Sequence, residues 1–124
     1  MKVTKFTTCI FLFGTVYFIG CDSDKNQKAL LNGRWEMKYG EFNNQPAPML
    51  QGMYFQFTGK NLTTNFNEAT HEETTPFEYK DDIIIKESTP NVEFQIVSLT
   101  DSVLEMTTEL RGYDFKLVLQ HVSQ

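Results

Sequence analysis

From Gly33 onward, apolar and polar side chains alternate with period two nearly everywhere, and this alternation restricts the fold more than any other feature of the chain. Successive side chains on a strand point to opposite faces, so the pattern describes strands with one buried face. No amphipathic helix of useful length interrupts it. Trp35, Met37 and Tyr39 fall on one face of a first strand, with Arg34, Glu36 and Lys38 on the other. Gly40 to Gly52 then breaks the pattern with Asn43, Asn44, Pro46 and Pro48, residues that disfavour both helix and ladder, and it is the longest loop expected.

Met53, Phe55 and Phe57 form the inward face of a second strand, and Thr58-Gly59-Lys60-Asn61 turns the chain into a third with Leu62, Thr64 and Phe66 inward. After a polar loop from Asn67 to Thr74, Thr75, Phe77 and Tyr79 alternate with Pro76, Glu78 and Lys80. Pro76 is expected at a strand start or edge because it cannot donate to a ladder. Asp81-Asp82 turns into Ile83-Ile84-Ile85, and Val92, Phe94 and Ile96 continue the inward set. Val97 and Leu99 have the opposite parity, which predicts a bulge near Ile96-Val97. Thr100-Asp101-Ser102 leads to Leu104 and Met106, and Leu110-Arg111-Gly112 leads to Tyr113, Phe115, Leu117 and Leu119. Eight short strands joined mostly by tight turns predict an all-β, up-and-down antiparallel meander. Closure into an eight-stranded barrel removes the two exposed edges, and a two-sheet β-sandwich is the alternative.

The N-terminal stretch obeys a different rule. Lys2 and Lys5 precede fifteen uncharged residues, Phe6 to Gly20, which have the length and flanks of a signal peptide. Residues 1–20 are therefore read as a leader, which leaves 104 residues, enough for one domain. That remainder carries nine basic and sixteen acidic side chains, a balance of −7 that disfavours nucleic acid and anionic head groups as partners. Residues 22–32 are polar without periodicity and read as a tether, so the barrel domain is placed at 33–124.

Phe18-Ile19-Gly20-Cys21 resembles the lipobox of bacterial lipoproteins, with phenylalanine where leucine is usual. The resemblance implies that Cys21 becomes the mature N-terminus, carrying a diacylglycerol thioether and an N-acyl chain. Two or more acyl chains anchor stably where one is marginal. Cys9 lies in the leader, so no disulfide framework is available. The expected location is the cell envelope, with the outer membrane favoured and the face left open. Asp22 and Asp24 resemble surface-export signals of some Gram-negative lineages, whereas in enterobacterial sorting an aspartate at that place favours the inner membrane.

Leu31-Asn32-Gly33-Arg34-Trp35 resembles the Leu-x-Gly-x-Trp opening of lipocalin-like domains. That resemblance implies an eight-stranded barrel whose tryptophan packs across the closed end and whose long first loop, here Gly40 to Gly52, covers the open end. The chain departs from the family in its short length and in having no arginine after the last strand to lie over the tryptophan. Candidate ligand-lining or core residues are Trp35, Met37, Tyr39, Phe55, Phe57, Phe77, Tyr79, Phe94 and Phe115. Eight-stranded barrels have interiors only just wide enough for side chains to fill, so a solid core and a cavity for one small apolar ligand are both open.

Catalytic constellations do not assemble from this sequence. The two histidines, His71 and His121, lie in a polar loop and at the C-terminal fringe without a partner motif. His71-Glu72-Glu73 points its neighbours apart on an extended chain, and Asp81-Asp82 reads as turn chemistry. No catalytic residue, metal site or cofactor is therefore assigned, and an enzyme is not expected. Two functions compete: a barrel holding a small hydrophobic molecule, and a solid barrel whose loop residues, such as Phe42 or Met49, contact another protein, as a hydrolase inhibitor or an accessory subunit of an envelope complex.

Overall fold

The computed structural model describes residues 26–67 and 71–123. Cys21 and the leader lie outside the described residues. Among these residues the chain forms β1 (Gly33–Phe42), β2 (Gln45–Pro46), β3 (Tyr54–Thr58), β4 (Asn61–Thr64), β5 (Glu73–Lys80), β6 (Ile83–Lys86), β7 (Val92–Leu99), β8 (Val103–Leu110) and β9 (Tyr113–Val122). Each strand except β2 pairs antiparallel with its sequence neighbours in the barrel, and β9 returns to pair with β1 from Arg34↔Val122 to Phe42↔Phe115. The result is a closed eight-stranded up-and-down barrel, with β2 a short flap on the end of β1. Closure on β9 covers nearly all of one edge of β1, and β3 and β2 pair with the two ends of its other edge.

Turn chemistry sets the hairpins. Asn43-Asn44, Asp81-Asp82 and Arg111-Gly112 each supply two consecutive positive φ values, as tight hairpins with the twist of their strands require. Thr100 Oγ1 accepts from the backbone N–H groups of Ser102 and Val103 at 3.2 and 3.0 Å and shapes the β7–β8 turn. The bulge expected near Ile96-Val97 is present, as a register shift between Ile96 and Ser98. Pro76, by contrast, sits inside β5 rather than at its start. Glu87 N–H donates to Pro76 O at 2.9 Å, but the proline cannot donate in return, and the β5–β6 ladder stops one pair away at Phe77↔Lys86.

Two expectations need correction in the first half of the chain. A second bulge shifts the register of β1 between Met37 and Tyr39, so parity inverts after Lys38. Gly40 is then buried, and Tyr39, expected inside, faces outward at 40% exposure. The segment from Gly40 to Gly52 is also no open loop. β1 runs on to Phe42, β2 folds back on Glu41 and Phe42, and Pro48–Leu50 makes one turn of 3₁₀ helix. Leu50 packs so closely on Gly40 that a Cβ there would lie 2.7 Å from Leu50 Cδ1.

The tether expectation also changes at its C-terminal end, because residues 26–31 are helical. Leu31 is fully buried, and its carbonyl accepts a 2.8 Å hydrogen bond from Trp35 Nε1. His121 meets the tryptophan edge-on, with ring centroids 4.8 Å apart. The histidine thus occupies the neighbourhood of the tryptophan left without an arginine. Trp35, Phe55, Phe57, Leu62, Ile84, Phe94, Leu104, Met106, Leu117 and Leu119 fill the interior with almost no exposure. Their rings touch in sequence: Phe55 lies 6.4 Å from Phe57 and 5.3 Å from Phe94, and Phe66 lies 5.4 Å from Phe115.

Candidate functional site

The strand directions separate two ends. The helical residues and the β3–β4, β5–β6 and β7–β8 turns close the end that holds Trp35, and the β1–β3, β4–β5, β6–β7 and β8–β9 connections surround the other. At this second, open end a pocket of about 390 Å³ is lined by Phe66, Glu73, Lys86, Val92, Leu110 and Arg111, among others. Phe66 forms its floor. Because that ring packs, tilted, against the core rings of Phe55 and Phe94 at 5.9 and 6.1 Å, the pocket ends there instead of continuing down the barrel axis.

Lys86 is the unusual member of this lining. It is the last residue of β6 and shares inward parity with Ile84, and only 3% of its surface is exposed. Its Nζ donates to Glu73 Oε1 on β5 in an ion pair whose carboxylate side chain is 38% exposed. A buried ammonium loses hydration and needs a charged partner, so the pair is held between a dry cation and a wet anion. The rim around it is ordered by short-range polar contacts. Ser88 Oγ donates to Pro90 O at 2.8 Å, Asn67 Nδ2 donates to His71 O at 2.7 Å, and Asn65 bridges Tyr54 N–H and Gly52 O at 2.9 and 3.1 Å.

Other concavities offer less chemistry. A wider groove of about 700 Å³ crosses the outer face of β7, β8, β9 and β1, and its lining includes Glu41, Glu93, Glu109, Asp114 and Lys116. Its acidity follows the excess of carboxylates in the whole chain. At the closed end, a depression of about 330 Å³ lies between the helical residues and Phe57, Gly59 and Phe77. Among the described residues no group of three His, Cys, Asp or Glu side chains is arranged to hold a metal ion.

The candidates singled out in the sequence have separate fates. Trp35, Phe55, Phe57, Phe77 and Phe94 are core, and Met37, Tyr79 and Phe115 are half-buried against it. Tyr39 is outside, where its hydroxyl donates to Glu41 Oε2 at 2.8 Å. None of the nine lines the open-end pocket, and neither does any residue of the expected lid at 40–52. Lys86 was missed although its signal was available. Ile84 inward on a strand puts Lys86 inward too, but a lysine after three isoleucines reads as the polar end of a strand.

No protein-family model matches this chain, and no curated protein matches it. Solved structures do. A lipocalin-like protein from Bacteroides uniformis superposes with a TM-score of 0.55 at 12% identity, covering 75% of this chain and 99% of its own. An uncharacterized protein from Bacteroides eggerthii superposes with a TM-score of 0.50 at 15% identity, covering 74% of this chain and 99% of its own. At these identities the likeness is one of fold. The strand order, the closure of β9 on β1 and the Gly-x-Trp opening agree with it, and this chain is a small eight-stranded barrel of lipocalin-like fold.

Proposed function

We propose that this protein is a lipid-anchored envelope lipoprotein, held through Cys21, whose barrel takes up one small hydrophobic molecule at its open end. The observation that carries the binding reading is the pocket of about 390 Å³ whose lining includes Phe66, Val92 and Leu110, above a filled interior. Its size lies near the lower end of small-molecule sites, about 300–1,000 Å³, and the mouths of barrels are common places for them. The anchoring reading is supported by the uncharged run that ends at Gly20-Cys21. No catalysis is proposed.

Both parts can be tested separately. Cys21→Ser should move the protein from the membrane fraction to the soluble fraction of the cells that make it, and persistence in the membrane would reject the anchor. Native mass spectrometry of residues 22–124, isolated gently from the source envelope, should show an added mass that is lost on denaturation. A bare mass together with a co-purifying protein would favour the other reading, a solid barrel that docks through its loops. The filled interior and Met49, 64% exposed on the segment expected to act as a lid, support that second reading.

A further inference from the structure

Within the binding reading just proposed, we infer that Lys86 is a head-group anchor and that the open-end pocket selects a compact apolar molecule bearing an anionic group, a carboxylate above all. Three observations converge on this. Lys86 is the one buried lysine or arginine among the described residues, and it lines the pocket instead of lying beneath it. An ammonium carries three N–H donors, and among the described residues the acceptor it meets is one carboxylate, Glu73. That carboxylate is more than a third exposed and regains water when displaced, whereas Lys86, 3% exposed, still needs an anion beside it. A ligand carboxylate can therefore replace Glu73 on Lys86 and bring a second acceptor oxygen with it.

The rest of the lining fits the same molecule. Phe66, Val92 and Leu110 supply an apolar wall, and Arg111 adds a second cation to the lining. Among the described residues, His71 and Glu109 are the other ionisable groups of the lining, and Glu109 lies on the outward-facing side of β8. The packed rings of Phe55, Phe66 and Phe94 prevent a long tail from descending the barrel. Tail length is thus limited by the floor, and the head-group charge sets the preference.

The test compares octanoate with octanamide, which shares its tail and shape but has no charge. Calorimetry on residues 22–124, which include the whole closed barrel and its core, should give octanoate at least ~10-fold the affinity of octanamide, the ratio expected for one buried charge-assisted hydrogen bond. Lys86→Met should erase that ratio, since it keeps the stem and removes the charge. Glu73→Gln should tighten octanoate binding by removing the competing anion while keeping a hydrogen-bond acceptor for Lys86. If Lys86→Met does not fold, Glu73→Gln decides the matter alone: a larger octanoate-induced rise in melting temperature than in the parent protein supports the inference, and an equal or smaller rise overturns it. Equal binding of both probes, or a charge preference that survives Lys86→Met, overturns the anchor but leaves a pocket. Failure of both probes to bind overturns the anchor and the small-molecule reading together.

Discussion

Trp35 shows how much a single side chain settles here. Its indole is buried, donates to Leu31 O and meets the His121 ring, so one residue joins the helical segment, β1 and β9. The glycine of the Gly-x-Trp opening has a physical reason as well. Gly33 has φ +120°, and a Cβ there would lie 2.6 Å from His121 Nε2, on a ring already packed against the tryptophan. We predict that Gly33→Ala lowers stability by about 1–3 kcal/mol, read as a lower urea midpoint with an unchanged slope. Loss below a few tenths would mean that the backbone or His121 relaxes freely. Tyr39 offers a second test at this scale. The hydrogen bond it donates to Glu41, with lesser contributions from desolvation and from that carboxylate's charge, holds its phenol above the ordinary tyrosine value of about 10. Because the folded-state value is the raised one, any stability it contributes is present below that ordinary value and lost as pH climbs through Tyr39's own. Glu41→Gln should return one tyrosine to the ordinary range in an alkaline absorbance titration, and an unchanged curve would place the bond elsewhere.

Elements show where the sequence could be read and where it could not. The bulge in β7 was legible because Val97 and Leu99, both apolar, contradict the parity of Phe94 and Ile96. The bulge in β1 was not, because Tyr39 is amphipathic and satisfies either face. Its only signals were Gly40 and Phe42, two small or apolar residues on the new parity inside a stretch rich in asparagine and proline. The same local polarity hid the folded β2 flap and the burial of Leu50. Lys86 illustrates the remaining gap: alternation places it inward, but only the fold brings Glu73, on β5 beyond the end of the β5–β6 ladder, to its ammonium. One inward position of β5 remains chemically unsatisfied. Thr75 Oγ1 is buried without a hydrogen-bond partner among the described residues. Thr75→Val keeps the branched shape and removes the orphaned oxygen, so it should raise stability by about 0.5–1.5 kcal/mol in urea unfolding. A loss of that size would show that the hydroxyl has a partner after all.

At the scale of the molecule, the open question in the sequence was whether nine large apolar candidates, eight of them aromatic, enclose a ligand or fill a barrel. Ring contacts answer it for the interior, since Phe55 stands between Phe57, Phe66 and Phe94 at centroid distances of 6.4, 5.9 and 5.3 Å and has no exposure. Truncating a ring in a close-packed core removes its transfer free energy and leaves a cavity that neighbours fill only in part. Phe55→Ala should therefore cost about 3–5 kcal/mol, a large share of the roughly 5–15 kcal/mol that holds a domain of this size together. Phe115→Ala, at a half-buried ring nearer the mouth, should cost less. Trp35 is the single tryptophan of the chain and lies in the same core, so its fluorescence reports both unfolding transitions. A cost below about 1 kcal/mol at Phe55 would mean that the barrel axis is loosely filled, and a ligand could then reach past Phe66 toward the closed end. The large cost would confine any ligand to the volume above Phe66, where the one buried cation of the pocket is Lys86.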